Sequence, residues 1–318
     1  MKNILITGGA GFIGCHTAKK LMELGNNIII IDDFNDYYDV GFKRERVKAL
    51  LNGKESKIYE IDFTDYSEIE KVFKKEKIDQ ICHLGARAGV RYSIINPFIY
   101  EKVNILGTLN LLELAKNYEI RHFVAASSSS VYGNNKKIPF NENDEVNEPI
   151  SPYAATKRAM ELLVYNYHHL YNLKTTCLRF FTVYGPWGRP DMAYFKFAEA
   201  LMNNEEIEIF NKGEMRRDFT YIDDIVEGII AALTKEFEFE IINLGNNKPV
   251  DLDYFIKSLE KNMGKIAKKN YLEMQPGDVK ETYADIEKAK RLLNFEPKTN
   301  IEDGLKKFVD WFKDWKKV

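Results

Sequence analysis

Thr7-Gly8-Gly9-Ala10-Gly11-Phe12-Ile13-Gly14 joins a short apolar run, Lys2 to Thr7, to a stretch with helical spacing, Phe12 to Leu24. Ile13, Leu21 and Leu24 are the expected core contacts of that helix. Gly9, Gly11 and Gly14 fit GxGxxG. Between a strand and a helix, such glycines permit a tight turn and let the backbone approach a pyrophosphate at the helix N-terminus. A second apolar run, Asn27 to Ile31, ends at Asp32, 18 residues beyond Gly14. A carboxylate there accepts hydrogen bonds from ribose hydroxyls and repels a 2′-phosphate, which favours NAD over NADP. A turn that merely needs glycine would explain the loop but not the acid. Gly8, Gly11, Phe12, Ile13, Gly14 and Asp32 are therefore the first expected cofactor contacts.

The same rhythm continues outward. Lys57 to Ile61 ends at Asp62, Asp79 to Leu84 at Gly85, Arg121 to Ala126 in four serines, and Thr175 to Phe180 at a turn. Helical patterns fall at 41–51, 66–75, 100–118 and 151–171. Continuous apolar strands alternating with helices predict a parallel sheet covered on both faces, in the doubly wound α/β (Rossmann) class. Ligands of such sheets lie outside the carboxyl ends of the strands. Asp62 is placed to accept from an adenine amino group, and the small residues around Leu84 and Ala86 let a cofactor pass. Phe63, Asn104 and Phe180 complete the expected cofactor set.

After about Pro186 helical segments near 192–202, 222–234, 251–261 and 285–293 alternate with short strands. This predicts residues 1–185 as the dinucleotide-binding domain and 186–318 as mainly a smaller C-terminal lobe, with the helix near 222–234 as a candidate to return to the first. The tail Lys306–Val318 alternates Lys with Trp and Phe and reads as a packed terminal helix rather than a basic membrane helix.

Composition narrows the function classes. The 46 basic and 48 acidic residues leave a net charge of −2, which gives no general attraction to nucleic acid or anionic lipid. Cys15, Cys82 and Cys177 form no CxxC pair, and the five histidines no HxxxH pair. Reduced thiols in the cytoplasm and no metal site are expected. The chain enters a strand at once, with no h-region of a signal peptide and no run long enough to span a bilayer.

Ser151-Pro152-Tyr153-Ala154-Ala155-Thr156-Lys157 puts a phenol and an ammonium on one helix face, at i and i+4. Ser127–Ser130 end a strand on the same sheet edge. A nearby Lys157 cation favours phenolate at Tyr153, and with the positive nicotinamide of NAD⁺ it lowers the tyrosine pKa toward working pH. Lysine can also hold the nicotinamide ribose. Taken alone, these are a surface Tyr/Lys pair and a polar strand end. Beside a dinucleotide fingerprint they read as an acid/base set.

TGGAGFIG, SSSSVYG and YAATK together resemble the extended short-chain dehydrogenase/reductases, in particular the nucleotide-sugar epimerases and dehydratases. The resemblance covers nearly the whole chain. It implies that Ser128 is the hydroxyl beside Tyr153, that Ser130 faces the sugar, and that helices 100–118 and 151–171 pair with their copies in a homodimer. It also implies that Arg216-Arg217-Asp218-Phe219-Thr220-Tyr221 and Gln275-Pro276-Gly277-Asp278-Val279 hold a nucleoside diphosphate. Arg217 would pair with the diphosphate, Asp278 accept from the ribose, and Phe210 stack on uracil. Dehydratases carry an Asp-Glu pair where this chain has serines, so dehydration is disfavoured.

The stretches Ala88-Gly89-Val90-Arg91-Tyr92-Ser93 and Arg179–Ala193 (RFFTVYGPWGRPDMA) resemble the UDP-glucuronate 4-epimerases. Arg189 would then meet the sugar carboxylate, with Thr182, Ser130 and Arg91 as further substrate contacts. Arg87 departs from the glutamine of that group. The implied reaction is NAD-dependent 4-epimerisation of a UDP-hexuronic acid through a 4-keto sugar. UDP-glucuronate decarboxylase and UDP-glucose 4-epimerase are the nearest rivals. A non-catalytic dinucleotide-binding regulator is the rival of another class, and it need not keep Ser, Tyr and Lys together.

Overall fold

The computed structural model describes residues 1–51 and 56–317. In chain order the elements are β1 (Asn3–Thr7), α1 (Phe12–Glu23), β2 (Asn27–Asp32), α2 (Val40–Leu51), β3 (Ser56–Glu60), α3 (Tyr66–Lys75) and β4 (Gln80–His83). There follow α4 (Val90–Ile95), α5 (Pro97–Tyr100), a π-helical turn (Glu101–Leu106), α6 (Gly107–Asn117), β5 (His122–Ser128), α7 (Pro152–Tyr171), β6 (Thr175–Phe180) and β7 (Thr182–Tyr184). The remainder is α8 (Ala193–Asn203), β8 (Glu206–Phe210), β9 (Arg216–Tyr221), α9 (Ile222–Lys235), β10 (Phe239–Leu244), β11 (Pro249–Asp251), α10 (Leu252–Met263), β12 (Lys268–Leu272), α11 (Glu287–Leu293) and α12 (Ile301–Lys316).

The main sheet has seven strands in the order β10-β6-β5-β4-β1-β2-β3, all parallel. Its central strands are apolar on both faces because helices cover both. Alternate residues of β1 show it. Ile4 and Ile6 point into one core, with α1 and α9, while Leu5 points into the other, with α3, α6 and α7. The winding direction reverses between β1 and β4, which opens a crevice at their carboxyl ends.

Two features differ from the sequence expectation. The expected helix over 100–118 is broken by the π-helical turn, in which Asn104 is buried. Its amide bridges the Arg87 backbone and Thr156 of α7, and π turns often lie at such functional junctions. The return of the later chain to the sheet also goes beyond the helix near 222–234. α9 packs on α1, and β10 pairs with β6 from Phe239↔Thr175 to Leu244↔Phe180.

A three-stranded sheet, β11-β9-β7, and a parallel β12-β8 pair stand beside the crevice. The tail does form a packed helix. α12 buries Leu305, Phe308, Val309 and Phe312. Trp315 of α12 packs edge-on to Phe42 with ring centroids 5.0 Å apart and donates its indole N–H to Glu45, which ties the tail to α2. Val318 lies outside the described residues. Among the described residues no helix is long and apolar enough to cross a membrane.

Candidate active site

The glycine loop turns at the end of β1 with Gly8 at φ +66°, a conformation that favours glycine. A Cβ on Gly14 would lie 2.1 Å from the Gly8 carbonyl oxygen, so α1 can seat against the loop only without a side chain there. Asp32 is buried and accepts from the backbone N–H groups of Ala10 and Phe34, each at 2.9 Å. Burial raises its pKa, and those two bonds together with the Lys43 charge oppose the rise. The carboxylate is thus fixed to the loop that would face a cofactor.

Arg46, fully buried in α2, donates to the carbonyls of Ala10 and Trp187 and to the Tyr38 hydroxyl. Its Nη2 is buried with no protein partner among the described residues. A glycine cradle at a helix N-terminus, a fixed carboxylate and an unmatched buried guanidinium nitrogen fit a dinucleotide.

The other expected cofactor residues surround this cradle unevenly. Phe12 is buried under α1, and Ile13 is partly buried beside it. Phe63 is wedged where Cβ atoms on Gly85 or Gly107 would strike its ring. Leu84 and Ala86 follow β4 at the crevice, and Phe180 ends β6 opposite Ser128. Asp62 is half-exposed, accepts from the Thr64 N–H and lies 3.5 Å from Lys102. Asn104 is buried in the π-helical turn. Both hydrogens of its amide are committed inside the protein, to Arg87 and Thr156.

Packing gives the consecutive serines different partners. Ser127 donates to Glu161, which is locked in a buried bidentate pair with Arg179. Ser128 instead reaches Ser130 at 3.2 Å and acts on Tyr153, opposing the rise that burial imposes on its pKa. Tyr153 and Lys157 open α7, whose first turn is capped by the Ser151 hydroxyl on the Ala154 N–H.

The electrostatics differ from the expectation in one respect. Lys157 is buried and donates to the Ala126 carbonyl at 2.7 Å, and burial pushes its pKa down to about 8. The Tyr153 pKa is raised by burial and lowered by the Ser128 hydrogen bond and by the charge of Arg189. Arg189 is thus a second cation, besides Lys157, whose charge favours the phenolate.

Arg189 stands in a tight turn closed by the Met192 N–H on its own carbonyl. It forks Asp191, with Nε to Oδ1 at 3.0 Å and Nη2 to Oδ2 at 2.5 Å. Tyr37 donates to the same carboxylate at 3.4 Å. Tyr100 packs edge-on to Tyr153 and donates to the carbonyls of Ala88 and Gly89. A Cβ on Gly89 would meet the Tyr37 hydroxyl at 2.6 Å, so Tyr37 can close in only because no side chain stands there.

The expected nucleotide-end residues converge from three segments. Arg91 of α4 pairs with Asp278 at 3.0 Å and lies 4.2 Å over the Phe210 ring. Arg217, partly buried, donates to the carbonyls of Arg216 and Lys280, and its pKa is lowered by burial against the Asp278 charge. Ser130, Thr182, Arg217 and Asp278 line one cleft. Sequence reasoning missed Tyr37, Lys43, Arg46, Tyr100 and Asp191. Only Asp191 carried a signal, as the acid inside the RPDMA turn. Arg87, noted only as a departure, donates to the Asn35 amide oxygen, which also receives Lys43.

A parallel sheet with a dinucleotide cradle at its switch point and a Ser-Tyr-Lys set beside it defines the short-chain dehydrogenase/reductase class. Residues 4–245 match the model of the NAD dependent epimerase/dehydratase family, and the chain belongs to that family. It is 48% identical over 311 residues to a UDP-glucuronate 4-epimerase of Thermodesulfobacterium geofontis, covering 98% of this chain and 96% of that one. Among solved structures it resembles UDP-glucuronic acid 4-epimerase from Bacillus cereus in complex with UDP-glucuronic acid and NAD, with TM-score 0.92 and 36% identity over 98% of this chain and 99% of that one. The UDP-glucose 4-epimerase of Thermotoga maritima, with UDP-glucose, is also similar, with TM-score 0.89 and 33% identity over 98% and 99% of the two chains.

Proposed function

We propose that this protein is an NAD-dependent 4-epimerase of a UDP-hexuronic acid, interconverting UDP-glucuronate and UDP-galacturonate. The observation that carries the reading is the Arg189 guanidinium, fixed side-on by Asp191, whose charge opposes the rise that burial imposes on the Tyr153 pKa. A fixed guanidinium there matches a C5 carboxylate on the sugar whose C4 hydroxyl Tyr153 deprotonates.

Gly8, Gly11, Phe12, Ile13, Gly14 and Asp32 hold NAD, with Asp62, Phe63, Leu84, Ala86 and Phe180 around it. NAD bound there would supply the hydride acceptor, and then the donor, for C4 of the sugar. Tyr153 accepts the C4 hydroxyl proton, relayed by Ser128, and gives it back after the sugar has turned. Lys157 holds the nicotinamide ribose. Ser130, Thr182 and Arg189 orient the sugar, while Arg91, Phe210, Arg217 and Asp278 hold the UDP. In this division residues 1–185 chiefly bind NAD and residues 186–318 chiefly the nucleotide sugar, with α9 and β10 returned to the first unit.

The intermediate 4-keto uronate is a β-keto acid, so the site must keep the carboxylate from leaving as carbon dioxide. NMR of the products formed from UDP-glucuronate tests the reading. UDP-galacturonate is expected, with NAD⁺ bound in preference to NADP⁺. A UDP-pentose as the main product would make the protein a decarboxylase. Turnover of UDP-glucose alone would make it a hexose epimerase, and no turnover of any UDP-sugar would leave a binding protein.

We also propose a cytoplasmic homodimer. Leu106, at the end of the π-helical turn, and Leu162 and Tyr165 of α7 are large exposed apolar side chains suited to pairing with a second copy. Light scattering should give a dimer mass, and Leu162→Glu should shift it toward the monomer.

A further inference from the structure

The guanidinium proposed to meet the sugar carboxylate already holds an anion of the protein itself. Arg189 offers two bidentate faces, one formed by Nε and Nη2 and one by the two terminal nitrogens. Asp191 occupies the first completely. Among the described residues Nη1 has no hydrogen-bond partner, so the terminal face is left to meet a ligand. The pair is local and built in, because Arg189-Pro190-Asp191-Met192 forms one turn. Tyr37 donates to Asp191, and the Arg189 guanidinium lies 5.9 Å from the Tyr37 ring centre, so the pair is held from a second segment.

Such a pair is an odd choice if the only requirement is to bind a carboxylate strongly. A buried guanidinium without Asp191 would attract the sugar anion more. A 4-epimerase has a second requirement. The keto sugar must let go of one orientation and present its other face between two hydride transfers. A carboxylate clamped by an uncompensated guanidinium would resist that turn.

Resting on the UDP-hexuronate reading, we propose that Asp191 sets the strength of the Arg189 grip. It fixes the guanidinium side-on and offsets its charge, so the sugar carboxylate is selected yet free to turn. Asp191 is a positioning residue that acts through Arg189. Burial pushes its carboxyl pKa up, but the Arg189 charge outweighs this and holds the group ionised.

Asp191→Asn tests this with nearly unchanged shape. Calorimetric affinity for UDP-glucuronate should rise roughly three- to thirtyfold, the range for removing one like charge several ångström away in a partly screened site. Affinity for UDP-glucose should stay within twofold. The kcat for UDP-glucuronate should fall with KM, whereas a structural lesion would raise KM or lower the affinity for both sugars. Asp191→Glu, which keeps the charge, should keep uronate affinity within a few-fold of wild type, and thermal melting of both variants checks folding. Unchanged or weakened uronate affinity in a folded Asp191→Asn protein overturns the proposal, as does equal tightening toward UDP-glucose. If the wild type neither binds nor converts UDP-glucuronate, the functional reading itself falls, a result distinct from wild-type turnover with no tightening in the variant.

Discussion

At the ends of β1 and β4 the crevice is walled by backbone. Gly8 sits at positive φ, Gly14 leaves no room for a Cβ, and Asp32 is pinned by two N–H groups of its own neighbourhood. At the far end the wall is made of long side chains. Arg91, Phe210, Arg217 and Asp278 come from α4, β8, β9 and the loop after β12, and they meet through a salt bridge and a ring contact. The first wall depends on where the chain cannot have side chains, which keeps its shape invariant. The second can be retuned one residue at a time, as suits an end of the site proposed to take the nucleotide. Between them stands Tyr153, touched from one side by Ser128 and from the other by the Arg189 charge.

The sharpest way to break this division is at its centre. Tyr153→Phe keeps the ring and its contact with Tyr100 but removes the base. Turnover of UDP-glucuronate should fall at least about 10²-fold, the low end of general acid–base contributions, while UDP-sugar affinity survives. Affinity lost together with turnover would place Tyr153 in binding, and near-normal turnover would remove it from the chemistry.

The backbone wall also makes a claim about charge. Lys157 is buried on the Ala126 carbonyl with its pKa pushed down to about 8, against 10.5 for an ordinary lysine. The unfolded chain therefore holds more protons between about pH 8 and 10.5, and this group's contribution to stability rises with pH through that window. Below it, the buried charge costs up to about 3 kcal/mol, before the lost carbonyl bond is counted. In NAD-free protein, Lys157→Met should be more stable than wild type at pH 7, and the advantage should shrink as pH rises. A difference in denaturation midpoint that stays flat from pH 7 to 10.5 would show that the ammonium is not desolvated.

The two walls were unequally legible in sequence. Gly8, Gly14 and Asp32 could be placed because a strand–loop–helix needs those residue types at fixed spacing. The strands were found because β1, β2 and β5 are buried on both faces and read as unbroken apolar runs. The π-helical turn at Glu101–Leu106 was hidden, since hydrophobic spacing does not separate it from the α-helix around it. Tyr37 and Arg46 were missed for another reason. Tyr37 lies in a polar stretch with no periodicity, Arg46 lies on an expected helix whose spacing names no partner for it, and only the fold brings them to Asp191 and to the glycine loop. That Ser127 is taken up by a distant pair, Glu161 and Arg179, was likewise invisible in sequence.

A smaller effect tests whether the side-chain wall is divided between sugar and nucleotide. Arg189→Ala removes charge-assisted bonds worth about 1.5–3 kcal/mol. The kcat/KM for UDP-glucuronate should drop roughly ten- to a hundredfold, with UDP-glucose affected much less. If the guanidinium also protects the keto acid, the variant should release more UDP-pentose. Equal losses on both sugars would assign Arg189 to the nucleotide or to the fold.

Arg91 should behave in the opposite way and with the smallest amplitude. Its side chain is 47% exposed, so its pair with Asp278 is screened by water and salt. Its place over Phe210 adds a cation–π contact of about 0.5–1 kcal/mol at an exposed site. Neither contact reaches toward Tyr153, so neither should depend on which sugar is attached. Arg91→Ala should weaken UDP-glucuronate, UDP-glucose and free UDP alike, by roughly two- to fivefold. The loss should shrink at high salt, because part of it is attraction to the diphosphate. Titration of UDP alone is the discriminating measurement, since it has no sugar to confuse the comparison. If UDP binds the variant normally and only UDP-glucuronate is weakened, Arg91 reaches the carboxylate, and the boundary between the sugar and nucleotide ends must be moved to include α4.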